Sequence, residues 1–180
     1  MRGIMRGSAA VLLIVGMVVG GAGVAAAKPK KQSAAKYAKT VCGTYQTLLN
    51  DITSFGTAIA ALDPTDPTGF QASATTQTNT LIGEIKAAEK TLSGAYPDIS
   101  NGTKVGKLLA TNATELDSLL TSAQSQLAAG GIAGATQFTV AIQTLSTKLS
   151  DPFSKVTDQG LINAFQKEKS CKNVVTVTPG

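Results

Sequence analysis

The chain has 180 residues, of which 43% are hydrophobic and only 4% aromatic, and it contains neither tryptophan nor histidine. The absence of histidine removes the commonest general base and the commonest zinc ligand, which argues against most catalytic and zinc-dependent chemistry. The net charge of +5 comes from the first part of the chain, because from Cys42 onward nine lysines face eleven Asp and Glu residues. Arginine, the side chain suited to bidentate phosphate contacts, occurs only at residues 2 and 6, so we expect no nucleic-acid partner.

Residues 1–27 are predicted to be a signal peptide. A basic start is followed by the uncharged residues 9–27, and the small residues Ala25, Ala26 and Ala27 form a cleavage pattern directly before Lys28. Cleavage there, or one or two residues earlier, would release a secreted protein whose only membrane contact is transient and made by the leader. The alternative is an uncleaved N-terminal anchor, since 19 uncharged residues approach the length of about 20 that crosses a bilayer.

Residues 28–32 are predicted to form a basic arm. It contains Lys28, Lys30 and Lys31, and such charge runs are typical of solvated segments that keep a new N-terminus soluble. The functional alternative is a weak, reversible electrostatic tether to anionic envelope polymers or lipid headgroups.

The first predicted helix covers residues 33–62 and has the strongest pattern in the chain. Its apolar residues are spaced by three or four positions and share one face: Tyr37, Val41, Tyr45, Leu48, Ile52, Phe55, Ile59 and Leu62. Ser33 is a plausible N-cap, and Asp63-Pro64 ends the helix. Asp66 before Pro67 is typical of an N-cap followed by the first helical residue.

Three further helices and a short last one follow. The second covers about residues 68–95 and has an unusually polar middle, and the third covers about 103–129 with Asn112 as a polar exception on its apolar stripe. The fourth begins near Ala133 and carries Phe138, and a short helix over about 158–169 leads to Cys171. Residues 172–180 are expected to be a flexible, exposed tail.

Cys42 has one possible partner within the chain, Cys171, and an exported chain meets an oxidising environment. The predicted fold is therefore all-α: an up-down-up-down four-helix bundle with a short C-terminal helix, closed by one disulfide over residues 33–171. A monomeric or weakly associating protein is expected.

A polar layer between the second and third helices gives one speculative ligand site. The simpler interpretation is a hydrogen-bonded layer or a solvated threonine face; the alternative is a small pocket between the helices. The residues that would line it are Phe70, Thr78, Leu81, Asn112 and Leu116.

The opening Cys42-Gly43-Thr44-Tyr45 and the closing Ala164-Phe165-Gln166-Lys167-Glu168-Lys169-Ser170-Cys171 resemble the uncharacterised small secreted proteins of actinobacteria. Members of this group commonly pair an early and a late cysteine around a helical region. The resemblance implies export and a disulfide-closed helical fold, and it carries over no catalytic residue.

The predicted function is that of a secreted or envelope-associated, non-enzymatic binding protein without a cofactor or metal. Its partner is unknown; an anionic envelope polymer or another secreted protein would suit it. Two alternatives remain: a carrier of a small apolar ligand between the helices, and a hydrolase that uses carboxylates alone, which would need two inward carboxyl groups within about 10 Å.

Overall fold

The computed structural model describes residues 28–63, 65–128, 138, 140, 153, 155–172 and 174. The protein is mostly helical and carries one disulfide, between Cys42 and Cys171. Its described elements are β1 (Lys30–Gln32), α1 (Ala34–Ala60), α2 (Pro67–Ser93), β2 (Ala95–Pro97), α3 (Gly102–Ala128), α4 (Gln159–Lys167) and a 3-10 helix (Lys169–Cys171).

Helix α1 confirms the strongest sequence pattern. Its N-cap is Ser33, whose hydroxyl accepts a hydrogen bond from the Lys36 amide at 3.4 Å. The predicted stripe is buried from Tyr37 to Phe55, while Ile59 is half-buried because the helix ends at Ala60. At 1.5 Å per residue, this helix and the two that follow are each about 40 Å long.

Helix α2 begins as predicted, with Asp66 as N-cap and Pro67 as the first helical residue. Its buried face includes Thr78, which is fully buried between Ala74 and Leu81. The Thr78 hydroxyl donates to the Ala74 carbonyl at 2.7 Å, so this polar group is satisfied within its own helix.

Helix α3 runs antiparallel to α2. Gln71 donates to the Leu127 carbonyl, Gln124 donates to Asn79, and Thr114 donates to Glu89, so residues advancing along one helix meet residues receding along the other. On its inner face Ala113 and Leu120 are buried, whereas Asn112 and Leu119 are half-buried. Ala113, which has the smaller side chain, therefore occupies the core position that was predicted for Asn112.

Two short strands that the sequence did not predict pair in parallel, with Lys30 opposite Ala95 and Gln32 opposite Pro97. Because β1 directly precedes α1 and β2 directly follows α2, their pairing makes α1 and α2 antiparallel neighbours. Gly102, expected in a loop, is the first residue of α3; a side chain there would collide with the Pro97 carbonyl, so only glycine permits this close approach.

The last helix confirms its prediction and anchors the end of the chain. Asp158 caps α4 by accepting the Leu161 amide at 2.8 Å, and Phe165 packs on Phe153, which contacts Tyr45. Of the predicted fourth long helix, Phe138 and Val140 are helical, and the buried Phe138 ring packs against Phe55 at 6.0 Å. The rest of that prediction lies outside the described residues.

The ends of the chain also differ from expectation. Residues 28–32 were predicted as a solvated arm, but residues 30–32 form β1. Val174, placed in the predicted tail, is buried and donates its amide to the Cys171 carbonyl at 2.9 Å.

Candidate functional site

Strand β1 fixes the predicted basic arm to one end of the helices. The Lys30 amide donates to the Gly94 carbonyl at 2.9 Å, and the Asp98 amide donates to the Gln32 carbonyl at 2.7 Å. These bonds tie the chain before α1 to the chain after α2. The lysines of residues 28–32 remain exposed, so the backbone is held while the charges face solvent.

Lys31 is also held through its side chain. Its Nζ lies 2.6 Å from an Asp98 carboxylate oxygen, and both side chains are more than half exposed. The hydrogen bond to Asp98, followed by the attraction of its charge, raises the pKa of Lys31. Lys31 is therefore paired within the protein, whereas Lys28 and Lys30 extend the charged surface beyond that pair.

Lysines from other segments meet at the same end. The starts of α1 and α3 and the end of α2 lie there because the helices alternate in direction. The disulfide adds the 3-10 helix, since it holds Cys171 against α1 at Cys42, with Cα atoms 4.9 Å apart. We call this end the lysine pole, and its exposed lysines are Lys28, Lys30, Lys31, Lys36, Lys39, Lys90, Lys104, Lys107, Lys169 and Lys172.

The charge of the lysine pole is strongly positive. Its ten lysines face three carboxylates in the same segments, Glu89, Asp98 and Glu168, and each of these already accepts a hydrogen bond or ion pair within the protein. The order of charges along the sequence does not reveal this cluster, because lysines from five separate segments contribute to it.

The opposite end of the helices carries the opposite charge. In the described residues that lie level with one another at this end, 51–63, 65–86 and 117–128, five carboxylates face one lysine, Lys86. The carboxylates are Asp51, Asp63, Asp66, Glu84 and Asp117. The described helical body is therefore polarised along its long axis. Partial burial, with a smaller contribution from nearby Asp51, raises the pKa of Glu84.

Two buried tyrosines of α1 lie beneath the pole and differ in their hydrogen bonding. The Tyr45 hydroxyl donates to the Leu109 carbonyl at 3.0 Å and is hydrogen-bonded to the Asn112 side chain. Burial raises the pKa of Tyr45 to about 12, and the Asn112 hydrogen bond opposes that shift. No described residue hydrogen-bonds the Tyr37 hydroxyl, and burial, then the proximity of Tyr45, raises the pKa of Tyr37 well above its ordinary value.

The five residues of the speculative pocket are spread along the helices. Thr78, Leu81 and Leu116 belong to the packed core, and Asn112 contacts Tyr45. Phe70 is half-buried and lies 11 residues from Leu81 on the same helix, about 16 Å away along the axis. The structure therefore does not gather these five side chains around one space, and the carrier function stays a prediction that native mass spectrometry would test.

A shallow depression of about 340 Å³ lies on an exposed face of α3. It is lined by Thr111, Thr114, Glu115, Ser118 and Leu119. All five residues come from one stripe of one helix, and the depression is open to solvent, so it offers no convergent set of groups for a ligand.

Within the residues that the structure describes, no group of three or more His, Cys, Asp or Glu side chains could hold a metal ion. None of the helices in the described part of the chain is long and apolar enough to span a bilayer. The predicted cleavage residues Ala25, Ala26 and Ala27 lie outside the described residues. Comparison of the chain with models of protein families, with curated proteins and with solved structures gives no match.

Proposed function

We propose that the protein is an exported, cell-envelope-associated and non-enzymatic binding module, and that it binds its partner through the lysine pole. The observation that carries this proposal is the charge arrangement: ten exposed lysines against three carboxylates at one end of the helices, and five carboxylates against one lysine in the described residues of the other. An even mixture of charges would serve solubility equally well, so the separation favours a surface that recognises anions.

The export part of the proposal is supported by the disulfide and by the sequence of residues 1–27. A disulfide that joins residues 129 positions apart fits an extracellular or otherwise oxidising environment. The uncharged residues 9–27 and the small residues before Lys28 fit a secretory leader.

We also propose that the predicted fourth helix, which begins near Ala133, completes an up-down-up-down bundle with α1, α2 and α3. The support is the antiparallel order of the three described long helices and the contact of Phe138 with Phe55. In this arrangement the fourth helix would begin at the end of the helices opposite the lysine pole, and it would cover the face of α1 around Phe55.

Binding through the lysine pole would be electrostatic and sensitive to salt. A lysine near an anionic surface contributes about 1 kcal/mol, and several together give stable but reversible attachment. Screening between exposed charges becomes strong once the Debye length falls to about 3 Å, near 1 M salt. Release by salt without detergent is therefore the expected behaviour.

Fractionation of the native host tests this function. The protein should sediment with the cell envelope at low salt and appear in the supernatant at high salt. The double substitution Lys104→Glu and Lys107→Glu reverses two exposed charges at the pole and should shift the protein into the medium. Lys86→Glu is the control, because Lys86 is exposed and the Thr114–Glu89 and Gln124–Asn79 hydrogen bonds place it beside Asp117, away from the pole.

Equal release of the double variant, the control and the unmodified protein would contradict a role for the pole. If all three remain in the medium at low salt, the protein does not associate with the envelope at all, and the proposed function is wrong.

A further inference from the structure

The lysine pole is too wide for a small anion to engage it as a whole. Packed helices have their axes 8–10 Å apart, so the ends of three helices together with the 3-10 helix extend over about 20 Å. The lysines are exposed and come from separate segments. A partner that contacts the whole pole must itself present many negative charges over a comparable area.

The separation of charge along the helices favours a flat surface over a flexible polymer. In the field of an anionic surface, the lysine pole is attracted and the end that carries Asp51, Asp63, Asp66 and Asp117 is repelled. Both effects turn the long axis of the body in the same direction. A flexible polymer could follow the lysines around the body and would gain nothing from the acidic end.

The position of residue 28 also points to a lipid surface. The uncharged residues 9–27 directly precede Lys28, and Lys30 is fixed by β1 to the pole. The uncharged segment 9–27 therefore joins the body at its lysine-rich end, so on the proposed export route this end lies nearest to the lipid.

The choice of basic residue fits the same partner. All the basic side chains of the described residues are lysines, and both arginines of the chain lie in residues 1–27. Lysine carries a compact, hydrated charge on a flexible stem, which suits headgroups at variable positions better than bidentate recognition of one fixed group.

We infer that the lysine pole docks the protein end-on against an anionic lipid surface, with the helices standing away from the membrane and the acidic end farthest from it. This inference rests on the proposed envelope association and names the envelope component that the pole contacts.

Lysine-by-lysine modification of the protein as isolated from its host tests the orientation. The protein is acetylated with a water-soluble reagent in the presence of phosphatidylglycerol–phosphatidylcholine vesicles, or of phosphatidylcholine vesicles, and each lysine is followed by peptide mass spectrometry. With anionic vesicles Lys104 and Lys107 should react several-fold more slowly, whereas Lys86, which lies beside Asp117, should react at an unchanged rate. High salt should restore the reaction at the pole. Because each lysine is compared between the two vesicle types, the result is interpretable with or without residues 1–27.

A pair of single substitutions measures the energetic contribution. Lys104→Gln should weaken binding to anionic vesicles about fivefold, the equivalent of about 1 kcal/mol for one lysine at an anionic surface. Lys86→Gln removes the same charge beside Asp117, away from the pole, and should leave binding unchanged.

Two results would overturn the inference. If Lys104 and Lys86 are protected equally, the protein does not dock end-on. If anionic vesicles protect no lysine while soluble inorganic polyphosphate protects the pole, the partner is an anionic polymer. In either case salt-sensitive retention on the host envelope would still support the proposed function, so the two failures are distinguishable.

Discussion

Different kinds of interaction stabilise the lysine pole and the opposite end of the helices. At the pole, a disulfide, a strand pair and an ion pair connect segments that are far apart in the sequence. Toward the other end, the described contacts are side-chain packing, such as Phe55 on Phe138, and polar contacts between adjacent helices, such as Gln124 to Asn79. The pole gathers like charges, and its several long-range connections hold those charges in one place.

Removal of the disulfide is expected to cause the largest loss of stability, and it acts at the lysine pole. The double substitution Cys42→Ser and Cys171→Ser removes a link between residues 129 positions apart, which the chain-entropy model values at roughly 4 to 5 kcal/mol of unfolding free energy. Urea unfolding under oxidising conditions should show a loss of this order, although measured values are often smaller. Under reducing conditions the variant and the unmodified protein should unfold together. Equal stability in oxidising buffer would show that the other pole contacts suffice.

Replacing glycine by alanine should lower the stability of the protein at Gly102 and raise it at Gly83. Gly102→Ala places a methyl group against the Pro97 carbonyl, where α3 meets β2, and should cost about 1 to 3 kcal/mol of stability. Gly83→Ala lies on an exposed part of α2 with nothing within 4 Å of the added carbon. It should stabilise the protein by about 0.5 to 1 kcal/mol, because alanine is the better helix former. Thermal unfolding measures both changes, and destabilisation by both substitutions would contradict the contrast.

Much of the helical body could be predicted from the sequence, because its signals are local. The spacing from Tyr37 to Phe55 predicts α1, and the Asp66-Pro67 pair predicts the start of α2. The disulfide was also predictable, since only two cysteines are present. The choice between Ala113 and Asn112 for the core was not, because both lie close to the inner face of α3 and only the packing of the assembled helices decides between them.

The lysine pole could not be predicted in the same way. The triplets Lys30–Gln32 and Ala95–Pro97 lack the alternation typical of strands, and their pairing depends on backbone groups more than 60 positions apart. Lys104, Lys107, Lys169 and Lys172 are scattered in the sequence, and only the directions of the helices and the disulfide bring them beside residues 28–32. The basic arm was the visible part of a larger surface.

The two buried tyrosines of α1 should respond differently to loss of the hydroxyl. Tyr45→Phe removes hydrogen bonds to Leu109 and Asn112 and should cost about 1 to 2 kcal/mol. Tyr37→Phe removes a buried hydroxyl that no described residue pairs with, so stability should be unchanged or rise by up to about 1 kcal/mol. Urea unfolding of both variants at neutral pH measures the difference. A large loss for Tyr37→Phe would reveal a partner outside the described residues.

The same tyrosines predict how stability falls at alkaline pH. Burial raises the pKa of Tyr45 from 10.0 to about 12, so the folded state holds its proton more tightly than the unfolded state does. This contribution is fully present below pH 10 and is lost as the pH rises toward about 12, at about 1.4 kcal/mol per pH unit. Urea midpoints between pH 9 and 11 should therefore fall less steeply for Tyr45→Phe than for the unmodified protein. Parallel curves would contradict the burial of the ionising group.

The smallest expected effect on stability comes from the exposed ion pair at the pole. Asp98→Asn removes the partner of Lys31, but both side chains are more than half exposed, and exposed pairs contribute little to folding. The melting temperature should change by no more than about a degree.

Removing the Asp98 carboxylate nevertheless makes the pole more positive and releases Lys31 for an external anion. The Asp98→Asn variant should therefore require more salt for release from the host envelope than the unmodified protein does. Asp158→Asn is unsuitable as a control, because Asp158 caps α4. Asp51→Asn, at the acidic end, is the better control and should leave the pole's retention nearly unchanged. If Asp98→Asn changes neither the salt requirement nor the stability, Asp98 and Lys31 lie outside the contact surface. That surface would then consist of the lysines on α1, α3 and the 3-10 helix.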